Sequence, residues 1–302
     1  MNEFYKNKKV VVTGGCGFIG SHIAHKLVGL GAQVTILDNL ATGSLDNIEN
    51  IKDNVTFIEQ SIVDYDACDN AISGNEIIFH LAAFISVPGS VQDPQACHKT
   101  NVDGTFNILH AAKKHEIKRL VFSSTSSVYG PREDQCQETD THLNPVSPYG
   151  ATKLMGELYC KQFALLYNLP CVMLRYFNVY GPRQNPHSQY AAVVAKFQYH
   201  MKRNEPITIY GDGSQTRDFV SVDEVVHANL LTGMAQEKLV AGQVYNIGTG
   251  RSISVLELAN QMKEQYPQYT GATKFEPARD GDVPHTQMSA KKYEELKKFS
   301  AR

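Results

Sequence analysis

Residues 9–20 read Lys9-Val10-Val11-Val12-Thr13-Gly14-Gly15-Cys16-Gly17-Phe18-Ile19-Gly20, and the fold turns on this stretch. Lys9–Thr13 is a short β-branched run of the kind that forms a buried strand. Gly14, Gly17 and Gly20 follow at intervals of three, and the last opens a helix predicted over Phe18–Leu30. Glycine here permits a tight turn, lets an anion approach the backbone, and lets helix and strand pack closely. The helix amino terminus then faces that negative charge. Glycines alone would mark only a turn; the strand before and the helix after make this a dinucleotide-binding loop.

Outward from this loop, strand and helix alternate. Gln33–Leu37, Val55–Glu59, Ile77–His80 and Arg119–Ser123 read as short strands, with a long helix predicted over Pro94–His115. A helix from Tyr149 to about Tyr167 and a strand at Cys171–Leu174 continue the pattern. Such alternation requires parallel strands joined by right-handed crossovers, hence an α/β, Rossmann-type doubly wound sheet. After Phe177 the pattern loosens. Gly181-Pro182 and Gly211-Asp212-Gly213 punctuate shorter helices near Ala191–Met201, Asp223–Met234 and Val255–Gln265. The expected division is a nucleotide-binding unit over residues 1–176, with 220–248 returning to it through a strand at Val244–Ile247. A smaller α/β lobe takes 177–219 and 249–302.

Bulk properties narrow the class. The 302 residues are 42% hydrophobic and 20% charged, an ordinary globular balance. A net charge of −2 gives no footing for nucleic acid. The basic run Lys6, Lys8, Lys9 reads as a solvated terminus before a strand. No apolar run approaches a membrane span, and the first residues lack a secretory pattern, so a cytoplasmic location is expected. The six cysteines are scattered without a CxxC pair, which argues against a disulfide framework or a zinc site. His22 and His25 share a helix face but have no third ligand in view, so no metal is expected.

Asp38 follows the second strand, eighteen residues after Gly20. A carboxylate there accepts hydrogen bonds from an adenosine ribose diol and repels a 2′-phosphate. No arginine precedes Arg119 to favour that phosphate, so the expected cofactor is NAD. Tyr149 and Lys153 are four apart on a helix and share a face. An ammonium and a positive nicotinamide ring both favour phenolate, so Tyr149 is predicted to have a lowered pKa and to act as a base. Tyr5–Lys9 and Tyr293–Lys297 show the same spacing. Only Tyr149 follows a run of hydroxyls, Ser123-Ser124-Thr125-Ser126-Ser127, at a sheet strand's carboxyl end.

The chain resembles the extended short-chain dehydrogenase/reductases, and within them the UDP-hexose 4-epimerases. The resemblance runs nearly end to end. It rests on TGGCGFIG (13–20), HLAAFISVP (80–88), SSTSSVYG (123–130), YGATK (149–153), RYFNVYGPRQ (175–184), GDGSQTRDF (211–219), YNIGTG (245–250) and PARDGDV (277–283). It implies that Thr125 hydrogen-bonds the sugar O4, that Tyr149 is the base, and that Lys153 binds the nicotinamide ribose. It implies a cofactor shell of Gly14, Gly17, Phe18, Ile19, Gly20, Asp38, Asn39, Thr42, Gly43, Leu81, Ala82, Ala83, Asn101, Ser123 and Phe177. Ser61 and Ile62 stand where the family often has an aspartate against adenine, so a weaker contact is expected there. Ser86, Asn178, Arg217, Arg279 and Asp282 are expected around the UDP-sugar. Two arginines suit a pyrophosphate, although an isolated arginine is more often a surface ion-pair partner. Tyr210 is open between packing on uracil and a core role.

The expected reaction is inversion at C4 through a transient 4-keto sugar, with NAD tightly held and not consumed. The family's dehydratases place Asp and Glu directly after the threonine, and its decarboxylases tend to have a glutamate two places after it. Here these positions are Ser126 and Ser127. Thr286, four residues after Asp282, is small where a bulky residue tends to exclude an N-acetyl group. With Phe84-Ile85-Ser86-Val87-Pro88 it favours UDP-N-acetylglucosamine and UDP-N-acetylgalactosamine, with UDP-glucose and UDP-galactose as weaker substrates. UDP-glucuronate, another sugar modification and a non-catalytic NAD-binding role stand as alternatives. The resemblance also implies a homodimer packed through the long helices, and a use in supplying surface polysaccharide. Family members usually continue past the helix near Ser289, so the expectation is either that a final element is absent here or that the sequence is abbreviated.

Overall fold

The computed structural model describes residues 1–132, 134–185, 193–278 and 287–300. Their strands are β1 Lys9–Thr13, β2 Gln33–Asp38, β3 Val55–Glu59, β4 Ile77–His80, β5 Arg119–Thr125, β6 Cys171–Tyr176, β7 Asn178–Tyr180, β8 Ile207–Tyr210, β9 Thr216–Ser221, β10 Gln243–Ile247, β11 Ser252–Ser254 and β12 Thr273–Glu276. Seven form one parallel sheet in the order β10-β6-β5-β4-β1-β2-β3. The order reverses beside β1, where β2 lies on one side and β4 on the other. In a doubly wound sheet, this reversal opens a crevice at the strands' carboxyl ends.

Strand periodicity explains the two apolar layers. Successive side chains point to opposite faces. Val10 and Val12 thus pack with Ile36, Phe79, Val121 and Leu174 on one face, where the helix Val222–Met234 also lies. Val11 packs with Leu37, Ile78, Phe122 and Met173 on the other. Both faces are covered, so the central residues of β1, β4 and β6 are apolar whichever face they point to. Away from this sheet, β7, β9 and β11 form a three-stranded sheet, while β8 pairs with β12. The helices Val193–Lys202 and Val255–Gln265 bury Phe197, Met201, Leu258 and Met262 against β8.

The helix predicted over Pro94–His115 differs from expectation. It is Pro94–His98 and Gly104–Lys114 joined by a π-helical turn, Lys99–Asp103. That turn carries Asn101 inward. Its Oδ1 accepts the Phe84 N–H at 2.7 Å, and its Nδ2 donates to the Phe84 carbonyl and to Thr152 Oγ1, both at 3.1 Å. The widened turn is where one side chain serves two other elements.

Beneath β5 lies a buried ion pair. Arg175 on β6 donates from Nε and Nη2 to the two Glu157 oxygens at 2.8 and 2.7 Å. Glu157 also accepts the Ser124 hydroxyl at 2.6 Å, and the guanidinium sits 4.6 Å from the Tyr129 ring centroid. Both charged groups are fully enclosed, at 0% and 1% exposure, so neither can be solvated if its partner goes. Glu157→Ala is expected to cost about 3–5 kcal/mol of stability by stranding the Arg175 charge. Glu157→Leu combined with Arg175→Met should cost clearly less. Urea unfolding followed by circular dichroism measures both.

Candidate active site

The crevice at the β1/β4 reversal widens into a cavity of about 620 Å³. At one end stand Gly14, Gly17, Phe18, Ile19 and Gly20, with Asp38, Asn39 and Thr42 beside them. Leu81, Ala82, Ala83 and Ser86 continue along the wall, and Ser123, Thr125, Tyr149, Lys153 and Phe177 close the other end. Ser61 and Ile62 line it too, next to Gln60. A shallower depression of about 520 Å³ around Lys9, Gln33, Asp53 and Asn75 lies at the strands' amino ends, away from all these groups.

The loop has the shape its glycines require. Gly14 has φ +69°, a region that side chains rarely adopt. A Cβ on Gly20 would collide with the Gly14 carbonyl, so only glycine lets this helix start so close to the loop. Asp38 is 7% exposed. One carboxylate oxygen accepts the Cys16 N–H at 2.9 Å and the other the Leu40 N–H at 2.8 Å. Each oxygen keeps lone-pair capacity at the cavity wall. Glycine loop, helix amino terminus and an oriented carboxylate fit the phosphates and ribose of a dinucleotide.

At the other end, the helix Pro148–Tyr167 begins with Ser147 as its cap, whose Oγ accepts the Gly150 N–H at 3.2 Å. The Tyr149 N–H, left over in that first turn, donates to Ser90 Oγ at 3.1 Å. Lys153, one turn on, donates from Nζ to the Ser123 carbonyl at 2.9 Å. Thr125, at the end of β5, lies beside Ser127, with Oγ to Oγ at 3.2 Å. Burial pushes the Tyr149 phenol up to about 12, against the opposing pull of its hydrogen bond to Thr125. Burial also presses the Lys153 ammonium down to about 8. The lowered tyrosine expected from the sequence is therefore not a property of the chain alone, because desolvation outweighs the Thr125 hydrogen bond.

Other expected residues sit elsewhere. Asn101 is buried behind the wall, bracing Phe84. Gly43 abuts the Cys16 backbone: a Cβ there would lie 2.8 Å from the Cys16 carbonyl carbon. Asn178 donates to the Asp218 carbonyl at 3.1 Å, Arg217 to the Thr216 carbonyl at 2.9 Å, and Tyr210 ends β8 opposite Glu276. None of these three lines the cavity. Arg279, Asp282 and Thr286 lie outside the described residues. His22 and His25 bond the Pro182 and Asn47 carbonyls at 3.0 and 2.9 Å, tying their helix to its surroundings. Gln184 escaped the sequence reading. It lines the cavity, donates to the Val179 carbonyl at 3.1 Å, and keeps a buried Oε1 with no partner among the described residues. Its only sequence signal was its place at the end of RYFNVYGPRQ.

Comparison with known proteins matches residues 10–248 to the model of the NAD dependent epimerase/dehydratase family. A putative UDP-glucose 4-epimerase of Methanocaldococcus jannaschii is 40% identical over 95% of this chain and 92% of its own. The structure of a UDP-N-acetylglucosamine 4-epimerase from Methanobrevibacter ruminantium, in complex with UDP-N-acetylmuramic acid, superposes with a TM-score of 0.91. It is 37% identical and covers 98% of this chain and 96% of that one. A UDP-glucose 4-epimerase from Thermotoga maritima, holding UDP-glucose, gives 0.90 at 40% identity over 95% and 92%.

The Lys153 environment has a measurable consequence. Between about 8 and the ordinary lysine value near 10.4, the unfolded chain binds a proton that the folded one does not. This group's contribution to stability therefore rises as pH rises through 8 and levels off above 10. Urea midpoints of the NAD-free chain at pH 7.5 and 9.5, set against those of Lys153→Met, isolate the effect. The chain is expected to gain on Lys153→Met at the higher pH.

Proposed function

The chain belongs to the NAD-dependent epimerase/dehydratase family, and on that premise we propose that it inverts C4 of a UDP-hexose, with UDP-N-acetylglucosamine and UDP-N-acetylgalactosamine as the preferred pair. One observation carries the choice of reaction. Among the described residues lining the cavity, Asp38 is the only carboxylate, and it stands at the ribose end, away from Thr125 and Tyr149. A 4,6-elimination needs an acid and a base beside the sugar in addition to the tyrosine. The positions after Thr125 are Ser126 and Ser127, and neither supplies one.

The residues then divide the work. Thr125 offers its hydroxyl to the sugar O4. Tyr149 removes the O4 proton as the C4–H bond breaks, leaving a ketone, and later returns the proton to O4. Lys153, held by the Ser123 carbonyl, places a positive charge one helical turn from the phenol. NAD, which the glycine loop, Asp38 and Lys153 would hold, would supply a reversible hydride acceptor and a positive ring charge. The ketose stays attached through its UDP end while its ring turns over, so electrons balance within one cycle and NAD is not consumed. The N-acetyl preference draws support from Gln184, whose Oε1, without a partner among the described residues, can accept an acetamido N–H, and from the small Thr286.

We extend the proposal to assembly and to the division of the chain. The helix Pro148–Tyr167 exposes Leu158, Leu165 and Leu166 at 53, 73 and 61%, and Phe106 on the adjacent helix is 41% exposed. Residues at this spacing share a face, and an apolar face of this kind suits a second copy of the chain. Residues 177–219 and 249–302 are assigned to the sugar lobe.

The purified protein, incubated with UDP-N-acetylglucosamine without added NAD, should form UDP-N-acetylgalactosamine. Proton NMR of the anomeric signal should reach one equilibrium ratio from either sugar. Tyr149→Phe should slow this by about 10²–10⁴-fold. Conversion of UDP-glucose or UDP-glucuronate alone would overturn the sugar assignment, and a 4-keto-6-deoxy product the reaction. Light scattering should give a dimer mass, and Leu158→Lys with Leu165→Lys a monomer.

A further inference from the structure

At the reversal of strand order, β1 and β4 end side by side with Thr13 opposite His80. Beyond each strand end lies cavity wall: Gly14 on one side, Leu81, Ala82 and Ala83 on the other. Past the last ladder pair the N–H groups of Leu81 and Ala82 need acceptors. Leu81 N–H reaches the Thr13 carbonyl at 3.1 Å. It also reaches the Thr13 hydroxyl at 3.1 Å, and the Ala82 N–H reaches that same hydroxyl at 3.1 Å.

A hydroxyl has two lone pairs and one proton. The two amides take both lone pairs, so the Thr13 proton goes to His80 Nδ1, 2.7 Å away. Nδ1 is therefore the acceptor, and the ring proton sits on Nε2, which donates to Thr105 Oγ1 at 3.1 Å. Burial, with Lys153 as a second cause, holds His80 down to about 3, so the ring stays neutral at ordinary pH. Its packing on Phe122, with centroids 5.7 Å apart, opposes a ring flip.

We propose that His80 is a positioning residue for the cofactor. Its neutral Nε2–H form directs the Thr13 proton and so frees both Thr13 lone pairs to hold the Leu81–Ala82 backbone as one wall of the dinucleotide slot. With those amides turned inward, phosphate donors come from the glycine loop and not from this side. The spacing is tight: a Cβ on Gly14 would lie 2.7 Å from the Ala82 nitrogen. A protonated or absent imidazole turns the Thr13 proton toward the amides; the Leu81 N–H keeps the Thr13 carbonyl, but the Ala82 N–H loses its acceptor, so the slot changes shape.

This inference rests on the family's cofactor and not on the sugar, so it is tested with NAD alone. Nitrogen-15 NMR of the ring should show the Nε2–H tautomer with and without NAD. Thr13→Val and His80→Leu should hold NAD about five- to tenfold more weakly, as the loss of one buried hydrogen bond predicts. Thr13→Ser and His80→Gln keep the donors and acceptors and should bind as the unsubstituted chain does. Affinity is read by calorimetric titration of NAD, beside the melting temperature of each NAD-free protein. An Nδ1–H tautomer overturns the proposal. So does unchanged NAD affinity in Thr13→Val, the milder variant, whatever its melting temperature; that pattern means a purely structural role. Should His80→Leu fail to fold, Thr13→Val carries the test alone.

Discussion

A parallel sheet whose strand order reverses leaves two neighbouring strands with connections that depart in opposite directions, and the gap between them cannot be filled by either. Here β1 and β4 are those strands. Everything functional is arranged around the gap. The chain leaving β1 must turn at once, which Gly14 allows, and must start its helix against its own turn, which Gly20 allows. The chain leaving β4 must run along the gap with its amides satisfied, which Thr13 provides. Asp38, at the end of the next strand out, is carried to the rim by the same geometry.

A second constraint fixes the reacting end. The helix Pro148–Tyr167 has to hold Tyr149 and Lys153 against β5, and a helix on a flat apolar face is free to rotate about its axis. Glu157, one turn beyond Lys153, removes that freedom. It bonds Ser124 on β5 and Arg175 on β6 at once, and charge-assisted bonds have narrow geometry. At the helix's other end, the Tyr149 N–H is tied to Ser90. Buried ion pairs are weak evidence for stability, because desolvation offsets their attraction. Placed between two strands and the helix that carries Tyr149 and Lys153, this one sets an angle.

Much of this was legible in the residues. The parallel core was readable because Val10–Val12, Ile77–Phe79 and Cys171–Leu174 are unbroken apolar runs, and the loop because Gly14, Gly17 and Gly20 stand between strand and helix. The break in Pro94–His115 was not, since Lys99-Thr100-Asn101-Val102-Asp103 contains neither Gly nor Pro. Its cause is tertiary: Asn101 meets Phe84 and Thr152, far away in sequence. Gln184 was missed for the same reason, since an unpartnered oxygen is a property of the surroundings. Asn178, Tyr210 and Arg217 were placed by motif, which does not give the direction in which side chains point from the strands β7, β8 and β9 that carry them.

The tyrosine exposes a tension that the fold does not resolve by itself. On the proposed reaction the cavity must exclude water to protect a ketone, and the burial that does so raises the Tyr149 phenol to about 12 while it drives Lys153 down to about 8. Dry surroundings therefore weaken both the base and the charge meant to assist it. The opposing influence within the chain is the Thr125 hydrogen bond, and it is outweighed. A fixed positive charge that cannot lose a proton would lower the phenol without admitting water, taking over the part that a weakened ammonium leaves unfilled, and the oxidised nicotinamide ring is such a charge. A site built this way has a basic tyrosine only while the oxidised cofactor is in place, so proton removal from the sugar is confined to the state that can also take the hydride. The proposed reaction would then require NAD to be retained for its acid–base chemistry as well as for the return of the hydride.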